Sequence, residues 1–430
     1  MILSEGKIFP SSEQNNILDR LEEKINRTLS AEKLNVEMVI SAADRLGQKI
    51  VDGEFDDMIK GLSRENFREY VKTAAMLMKR ENIEYRIAAE LGADFKACME
   101  VSPPYGIERA EVRFMPLGTL FHIAAGNADG LPAFSVLEGL ISGNVNILKL
   151  PEADNGLSIE IFRQLIKMEP ALENFIYVFD TPSSDLQAMR RMAEISDGIV
   201  VWGGDTAVKA VRALAPAGAK IIEWGHKLGF AYISGYEDKN AELSALAKHI
   251  VSTRQLLCSS CQTIFVDTDN PDEIETFCKE FLPYLEKAAA NDPVPEIGVS
   301  AEITLQKYNG ALENAIGAGT AESKIFQGKR CSLTMLSDNG LELSYMYGNC
   351  LAKPLPESEM ISSLRASKGY LQTAGLICER ESRSRLTELL LRSGVNRVMR
   401  AGNMSASFCG EAHDGEYPLR RYMRVVNIEK

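Results

Sequence analysis

Cys258 lies in Arg254-Gln255-Leu256-Leu257-Cys258-Ser259-Ser260-Cys261, a small polar stretch that runs straight into the apolar, β-type segment Gln262–Val266. This pattern sets a thiol on a loop at the mouth of a domain. Before it in the chain stand Glu223, in Ile221-Ile222-Glu223-Trp224-Gly225-His226-Lys227, and Asn127, in Ala124-Ala125-Gly126-Asn127. A thiolate is a strong nucleophile toward a carbonyl carbon and is partly present at neutral pH. The Asn127 amide and the Cys258 backbone N–H are candidate donors to the oxyanion that such an attack creates, each donor worth about 3 kcal/mol of barrier. Glu223 is the candidate general base, and His226 is a second acid–base candidate. Each has a plainer reading: Cys258 as a buried small hydrophobe, Glu223 as a strand-end carboxylate bonded to backbone N–H groups, His226 as a surface or packed histidine. The polar neighbours Arg254, Gln255, Ser259 and Ser260 speak against burial of Cys258. His122, inside an apolar strand, reads as packing.

Cys258 and Cys261 also have the spacing of half a zinc knuckle or of a redox pair. A structural zinc needs two further ligands at regular spacing, and neither the other cysteines nor His122, His226, His249 and His413 form a second pair. We therefore expect no metal. The eight cysteines are scattered through 430 residues and make no disulfide framework. The net charge of −12 argues against nucleic acid and against an anionic membrane surface. The N-terminal Met1–Lys7 has no basic-then-apolar leader pattern, and no apolar run reaches the roughly 18 residues of a spanning helix. A reducing cytoplasm is the expected compartment.

With 45% apolar and 25% charged residues the chain is an ordinary globular one, too long for a single core. Residues 12–98 read as successive helices, with Ile17, Leu18, Leu21 and Ile25 at helical spacing. After the turn signal Ser102–Gly106, apolar strands alternate with helices: strands at Leu117–Ala125, Val145–Leu150, Phe175–Phe179, Gly198–Trp202 and Lys220–Glu223, helices at Leu131–Ser142, Ser158–Met168, Leu186–Ile195 and Ala207–Leu214. That alternation predicts a doubly wound parallel α/β sheet with ligands beyond the carboxyl ends of its strands. The expected organisation is a helical segment 1–100, a Rossmann-like domain 101–235, a second α/β domain 236–400 carrying Cys258, and a tail 401–430. The second domain is expected to hold a long helix over residues 271–289. The tail's strand, over Arg420–Ile428, is of a kind that pairs across subunit boundaries, so a homo-oligomer is expected.

Four motifs, in order, resemble the aldehyde dehydrogenase superfamily: Gly143-Asn144 with Val145–Glu152, Gly203-Gly204-Asp205-Thr206, Glu223-Trp224-Gly225-His226-Lys227, and the Cys258-to-Phe265 spacing. His413-Asp414-Gly415 and Arg424–Glu429 are similar to the C-terminus of acyl-CoA reductases of the bacterial luminescence fatty-acid reductase type. The resemblance implies a Rossmann-type cofactor domain, a catalytic α/β domain, and NAD(P)H-dependent reduction of acyl-CoA to a fatty aldehyde through acyl-Cys258. It implies Lys149 and Glu152 as adenosine-ribose contacts and Gly203-Gly204-Asp205-Thr206 as the cofactor-binding turn facing the pyrophosphate; the plainer reading of Asp205 and Thr206 is that they only cap the helix that follows. A carboxylate at Glu152 favours an unphosphorylated ribose and hence NADH, whereas the luminescence branch implies NADPH; NADPH is the expectation adopted. The acyl donor is expected to be acyl-CoA or an acyl-carrying protein. His226 stands where the dehydrogenase pattern has glycine. A hydrolytic aldehyde dehydrogenase using Glu223 to activate water is the first alternative, and a non-catalytic scaffold the second.

Overall fold

The computed structural model describes residues 1–31, 34–63, 68–92, 99–126, 129–316 and 323–430. Asn127 and Cys98 fall outside the described residues. The chain divides into two compact units, one made of Met1–Gly225 with Phe408–Lys430, the other of His226–Ser407. Its strands in chain order are β1 (Ile2–Ser4), β2 (Lys7–Phe9), β3 (Met99–Val101), β4 (Ala110–Pro116), β5 (Thr119–Ile123), β6 (Val145–Lys149), β7 (Ile176–Phe179), β8 (Gly198–Trp202), β9 (Lys220–Trp224), β10 (Leu228–Ser234), β11 (Cys261–Val266), β12 (Ser323–Gln327), β13 (Ser332–Leu336), β14 (Asn349–Pro354), β15 (Leu371–Cys378), β16 (Arg397–Arg400) and β17 (Met423–Glu429).

In the first unit the main sheet has the order β2-β1-β7-β6-β5-β8-β9. From β7 to β9 every pair is parallel. β6, β7 and β8 are almost entirely buried, as a sheet covered on both faces requires. The crossover helices Leu131–Ile141, Leu157–Met168, Leu186–Glu194 and Asp205–Leu214 fall where the apolar periodicity puts them. Strand order reverses between β5 and β8, so the crevice of this doubly wound sheet opens at their carboxyl ends. Helices Gln14–Ala31, Val36–Val51, Asp56–Leu62, Arg68–Met76 and Arg80–Leu91 make up the N-terminal segment. Ahead of them the hairpin β1–β2 joins the sheet through Leu3 and Val178. Sequence reading does not find it, because strands of three residues are too short to display a period.

The tail returns to this first unit. β17 pairs antiparallel with β4 of its own chain, from Met423 against Pro116 to Glu429 against Ala110, and β3 completes a small sheet of order β17-β4-β3. The second unit holds a sheet of order β12-β13-β14-β11-β10-β15-β16, parallel except for β12 on β13. Among the described residues, no helix is long and apolar enough to cross a membrane.

Helix Leu131–Ile141 meets the sheet of the first unit at a buried polar knot. His122 is fully buried; its Nε2 donates to Asn146 Oδ1 at 3.0 Å, and Nδ1 accepts from Ser135 at 2.8 Å. Gly139 makes room for this pairing, since a Cβ there would lie 1.8 Å from Asn146 Oδ1. Burial pushes His122 down to about 4, only partly offset by the Asn146 bond, and burial likewise pushes His249 down to about 4. Both rings are neutral in the fold and take protons more readily once unfolded, so their contribution is present above pH 6.5 and is lost as pH falls toward 4. A tenfold difference in proton affinity corresponds to about 1.4 kcal/mol, so the melting temperature is expected to fall steeply over that window. His122→Asn, measured by calorimetry across it, should flatten part of the slope.

Candidate active site

The Cys258 segment is built by a helix that stops in strained backbone. Helix Lys239–Thr253 runs into Arg254 at φ 49° and Gln255 at φ 60°. Left-handed backbone costs a non-glycine residue on the order of 1 kcal/mol and persists only where neighbours enforce it. Here the enforcement comes from the Gln255 side chain, which is buried. Its Nε2 donates to Cys261 O and to Ser344 Oγ, each at 2.9 Å, and its Oε1 accepts from Gly348 N at 3.0 Å. Its backbone carbonyl accepts from Gln262 Nε2 at 2.8 Å, and Arg254 O accepts from Tyr347 N at 3.0 Å. The facing segment is itself left-handed at Met346, Tyr347 and Gly348 (φ 61°, 48° and 80°).

Beyond this clamp the chain makes one tight turn. Ser260 N donates to Leu257 O at 2.9 Å, and Leu257 N donates to Ser260 Oγ at 3.1 Å. Cys258 and Ser259 are the two central residues of that turn, and both are half-buried. Ser259 Oγ lies 2.8 Å from Ser405 Oγ. β10 supports the turn from below at Gly229, where a Cβ would come within 2.5 Å of Ser260 O. In the sequence Gln255 is legible only as a polar neighbour, and its side chain is what holds the turn. No local signal marks it, because Ser344 and Gly348 lie far along the chain.

Of the remaining described cysteines, five are buried and Cys409 is half-buried. None of the described cysteines is in a disulfide. Cys261 is fully buried with its Sγ 3.5 Å from Thr263 O, and burial pushes its thiol up to about 12. Burial pushes Cys278 up to about 12 and Cys331 to about 11, and raises Cys350 and Cys378 as well. Cys409 is half-buried, donates to Asn82 O at 2.8 Å and is also raised by burial. A thiol held protonated is a poor nucleophile. Among the described residues, no three His, Cys, Asp or Glu side chains gather as a metal set.

Glu223, on β9, faces Arg212 rather than backbone amides. Both its carboxylate oxygens are engaged, Nη2 to Oε2 at 2.7 Å. His226 opens the second unit, its ring centroid 6.3 Å from that of Tyr370. His413 belongs to a hairpin turn, with Asp414 and Gly415 both at positive φ. Its ring packs 5.2 Å from Trp202 and 5.0 Å from Trp224, which docks the tail on the carboxyl ends of β8 and β9.

Lys149, Glu152, Gly203 and Gly204 all belong to the first unit and lie at or just past the carboxyl ends of β6 and β8, the strands that flank β5. Lys149 is buried and donates to Ser183 Oγ at 2.8 Å. Burial lowers its affinity for the proton while Glu152 opposes that. Glu152 itself is exposed. Helix Asp205–Leu214 is capped by Gly204, in extended backbone, without a side-chain cap bond. Asp205 and Thr206 therefore sit inside the first turn instead of capping it. A Cβ on Gly204 would meet nothing within 4 Å, and Gly204, Asp205 and Thr206 are all exposed. A buried lysine, an exposed carboxylate and an uncapped helix start, set around the point where strand order reverses, fit a dinucleotide.

A family model described as acyl-CoA reductase (LuxC) matches residues 31–425. Long-chain acyl-protein thioester reductase 2 of Photobacterium leiognathi is 24% identical over 421 residues, 93% of this chain and 83% of that protein. The long-chain acyl-protein thioester reductase of Aliivibrio fischeri is 24% identical over 337 residues, 74% of this chain and 65% of that protein. Among solved structures, a lactaldehyde dehydrogenase superposes with a TM-score of 0.69 at 14% identity, covering 100% of this chain and 96% of its own. The NADP-dependent glyceraldehyde-3-phosphate dehydrogenase of Bacillus halodurans, complexed with NADP, gives 0.70 at 16% identity, covering 100% and 98%. These two carry the fold, which is that of the aldehyde dehydrogenases.

Proposed function

The chain belongs to the acyl-CoA reductase (LuxC) family, and we propose that it reduces a fatty acyl thioester to the aldehyde through an acyl-Cys258 intermediate. As a member of that family it is an oxidoreductase of the aldehyde dehydrogenase type. The observation that carries the reading is the Cys258 turn, a half-buried thiol at the centre of a polar turn held by the Gln255 clamp. The Cys258 thiolate attacks the thioester carbonyl, a new S–C bond forms, the bond from that carbon to the donor's sulfur breaks, and the donor leaves as its thiolate. The Cys258 backbone N–H and Asn127 are the proposed donors to the oxyanion. A reduced nicotinamide supplies the hydride for the second half-reaction when bound. Lys149, Glu152 and the open start of helix Asp205–Leu214 are the residues proposed to hold it. The resulting hemithioacetal on Cys258 then gives up its proton, expels the thiolate and releases the aldehyde.

The engagement of Glu223 with Arg212 speaks against the hydrolytic alternative, which requires that carboxylate to activate water. His226 remains the second acid–base candidate. Acyl-CoA is the proposed donor; the relatives named above are acyl-protein thioester reductases, and an acyl-protein presents the same carbonyl. The exposed Glu152 favours NADH and the resemblance favours NADPH. Following nicotinamide absorbance with each nucleotide, with acyl-CoA and acyl-protein donors in turn, separates these readings. The expected result is one aldehyde formed per nucleotide oxidised. Oxidation of aldehyde to free acid without any thiol acceptor would overturn the proposal.

A further inference from the structure

A cleft of about 360 Å³ in the second unit has the size of a small-molecule site, and no step of the proposed reaction uses it. Its lining is of two kinds. Val251, Ala289, Val294 and Ile303 make an apolar part. Lys329 and Arg330 bring adjacent cations, the central residues of the turn from β12 to β13. Gly328 N donates to Cys331 O at 2.9 Å and Lys329 N to Glu286 Oε1 at 3.0 Å, so the turn is fixed. Both cations are exposed, and no hydrogen bond or ion pair to a described residue engages the Lys329 ammonium. Asp292 is the one carboxylate among the described lining residues, and its Oδ1 lies 3.5 Å from the Arg254 guanidinium. A bare phosphate leaves the apolar part wet, and a neutral alcohol leaves the cations unmatched. In a chain of net charge −12, this lining fits a carboxylate on a hydrocarbon body.

The cleft shares a wall with the clamp that holds Cys258. Tyr347, Gly348 and Asn349 line it. Tyr347 N donates to Arg254 O and Gly348 N to Gln255 Oε1, each at 3.0 Å, and these bonds enforce the left-handed backbone ahead of Cys258. Arg330 Nη1 donates to Asp292 O at 2.7 Å, and the Asp292 carboxylate carries that tie on to Arg254. A carboxylate drawn to Lys329 and Arg330 competes with Asp292 O for the guanidinium. Strained backbone persists only while its neighbours hold it. About 1 Å of misalignment at a reacting group costs on the order of 100-fold in rate.

We infer that this cleft binds a fatty-acid carboxylate, and that its occupancy slows acylation of Cys258 by loosening the Gln255 clamp. This control rests on the reading of Cys258 as the nucleophile: free acid, which hydrolysis of an acyl thioester leaves behind, holds back further acylation. A ligand shifts such an equilibrium only by the difference in its affinity for the two states, and the coupling is reciprocal.

The test pairs calorimetric titration of the full chain with decanoate and the rate at which butyryl-CoA acylates Cys258, read by intact mass without nucleotide. Wild type is expected to bind decanoate, and saturation to slow acylation roughly 5- to 20-fold, within the usual range of site–site coupling. Alkylation of Cys258 by iodoacetamide should not slow, because a loosened turn still presents its thiol; decanoate seated over the thiol would slow both. Decanol and inorganic phosphate at the same concentration should leave acylation unchanged. Lys329→Glu should keep the basal rate and lose both the binding and the slowing. Ile303→Asn, with unchanged far-ultraviolet circular dichroism, should do the same from the apolar side. A wild type that binds decanoate but takes no acyl group on Cys258 in its absence sinks the catalytic reading instead. Decanoate bound equally by wild type and Lys329→Glu overturns the inference. So does bound decanoate that leaves the acylation rate unchanged or slows both reactions of Cys258, and so does phosphate that slows acylation as well as decanoate does.

Discussion

Replacing Cys258 by alanine is expected to abolish thioester reduction, with a loss of at least about 10⁴-fold, since removing a covalent nucleophile forfeits most of the acceleration its site provides. Five of the other described thiols lie buried in the core. Burial pushes Cys261 and Cys278 up to about 12, so neither presents thiolate at neutral pH. Cys409, half-buried like Cys258, commits its proton to Asn82 O at 2.8 Å and is raised as well. Cys258 alone among the described cysteines sits at the centre of a tight turn held by the Gln255 network. Incubation with long-chain acyl-CoA without nucleotide should add one acyl mass to the intact protein. The adduct should persist in Cys409→Ala and vanish in Cys258→Ala. An adduct of undiminished yield on Cys258→Ala would show that the acyl group goes elsewhere and would sink the assignment.

Arg86→Met is expected to cause the largest loss of stability, about 3–5 kcal/mol, as follows when one partner of a buried ionic cluster is removed. Arg86 Nε donates to Glu90 Oε1 at 2.6 Å, and its Nη2 reaches Glu138. Both carboxylates are almost completely buried. Tyr422 donates to Glu138 at 3.0 Å and Leu419 N to Glu90 at 2.8 Å, so one guanidinium joins the N-terminal helices, helix Leu131–Ile141 and the returning tail. Burial opposes the Arg86 charge, but Glu138 and Glu90 outweigh it and push its affinity for the proton up. Without it, two carboxylates remain in a site that water does not reach. At roughly 2–4 °C per kcal/mol for a unit of this size, the melting temperature should drop on the order of 10 °C. Arg80→Met is the control: its pairs with Glu37 and Glu84 are half-exposed and should contribute little. Equal melting temperatures for Arg86→Met and Arg80→Met would refute the role of the cluster.

Periodicity carried most of the fold. Helix Pro271–Ala289 and strand Gly198–Trp202 have the same limits in the structure as in the sequence pattern, because long amphipathic or fully apolar runs bounded by turn residues leave little choice. Helix Asp205–Leu214 starts two residues before its apolar pattern, since Gly204, not Asp205, adopts the extended cap. The hairpin β1–β2 and the tail's return to the first unit were illegible for another reason. Which edge a short strand joins depends on partners distant in the chain, such as Val178 for Leu3 and Met115 for Arg424.

The α/β class, the alternation that builds the parallel sheet, and the polar loop that carries Cys258 are all written in local residue order. Which groups meet is settled by packing. Packing gave Glu223 to Arg212, made Gln255 the clamp behind Cys258, and enclosed Arg86 with two carboxylates. Spacing along a chain constrains the backbone over a few residues. A hydrogen bond or ion pair depends on the three-dimensional approach of atoms that the sequence keeps apart.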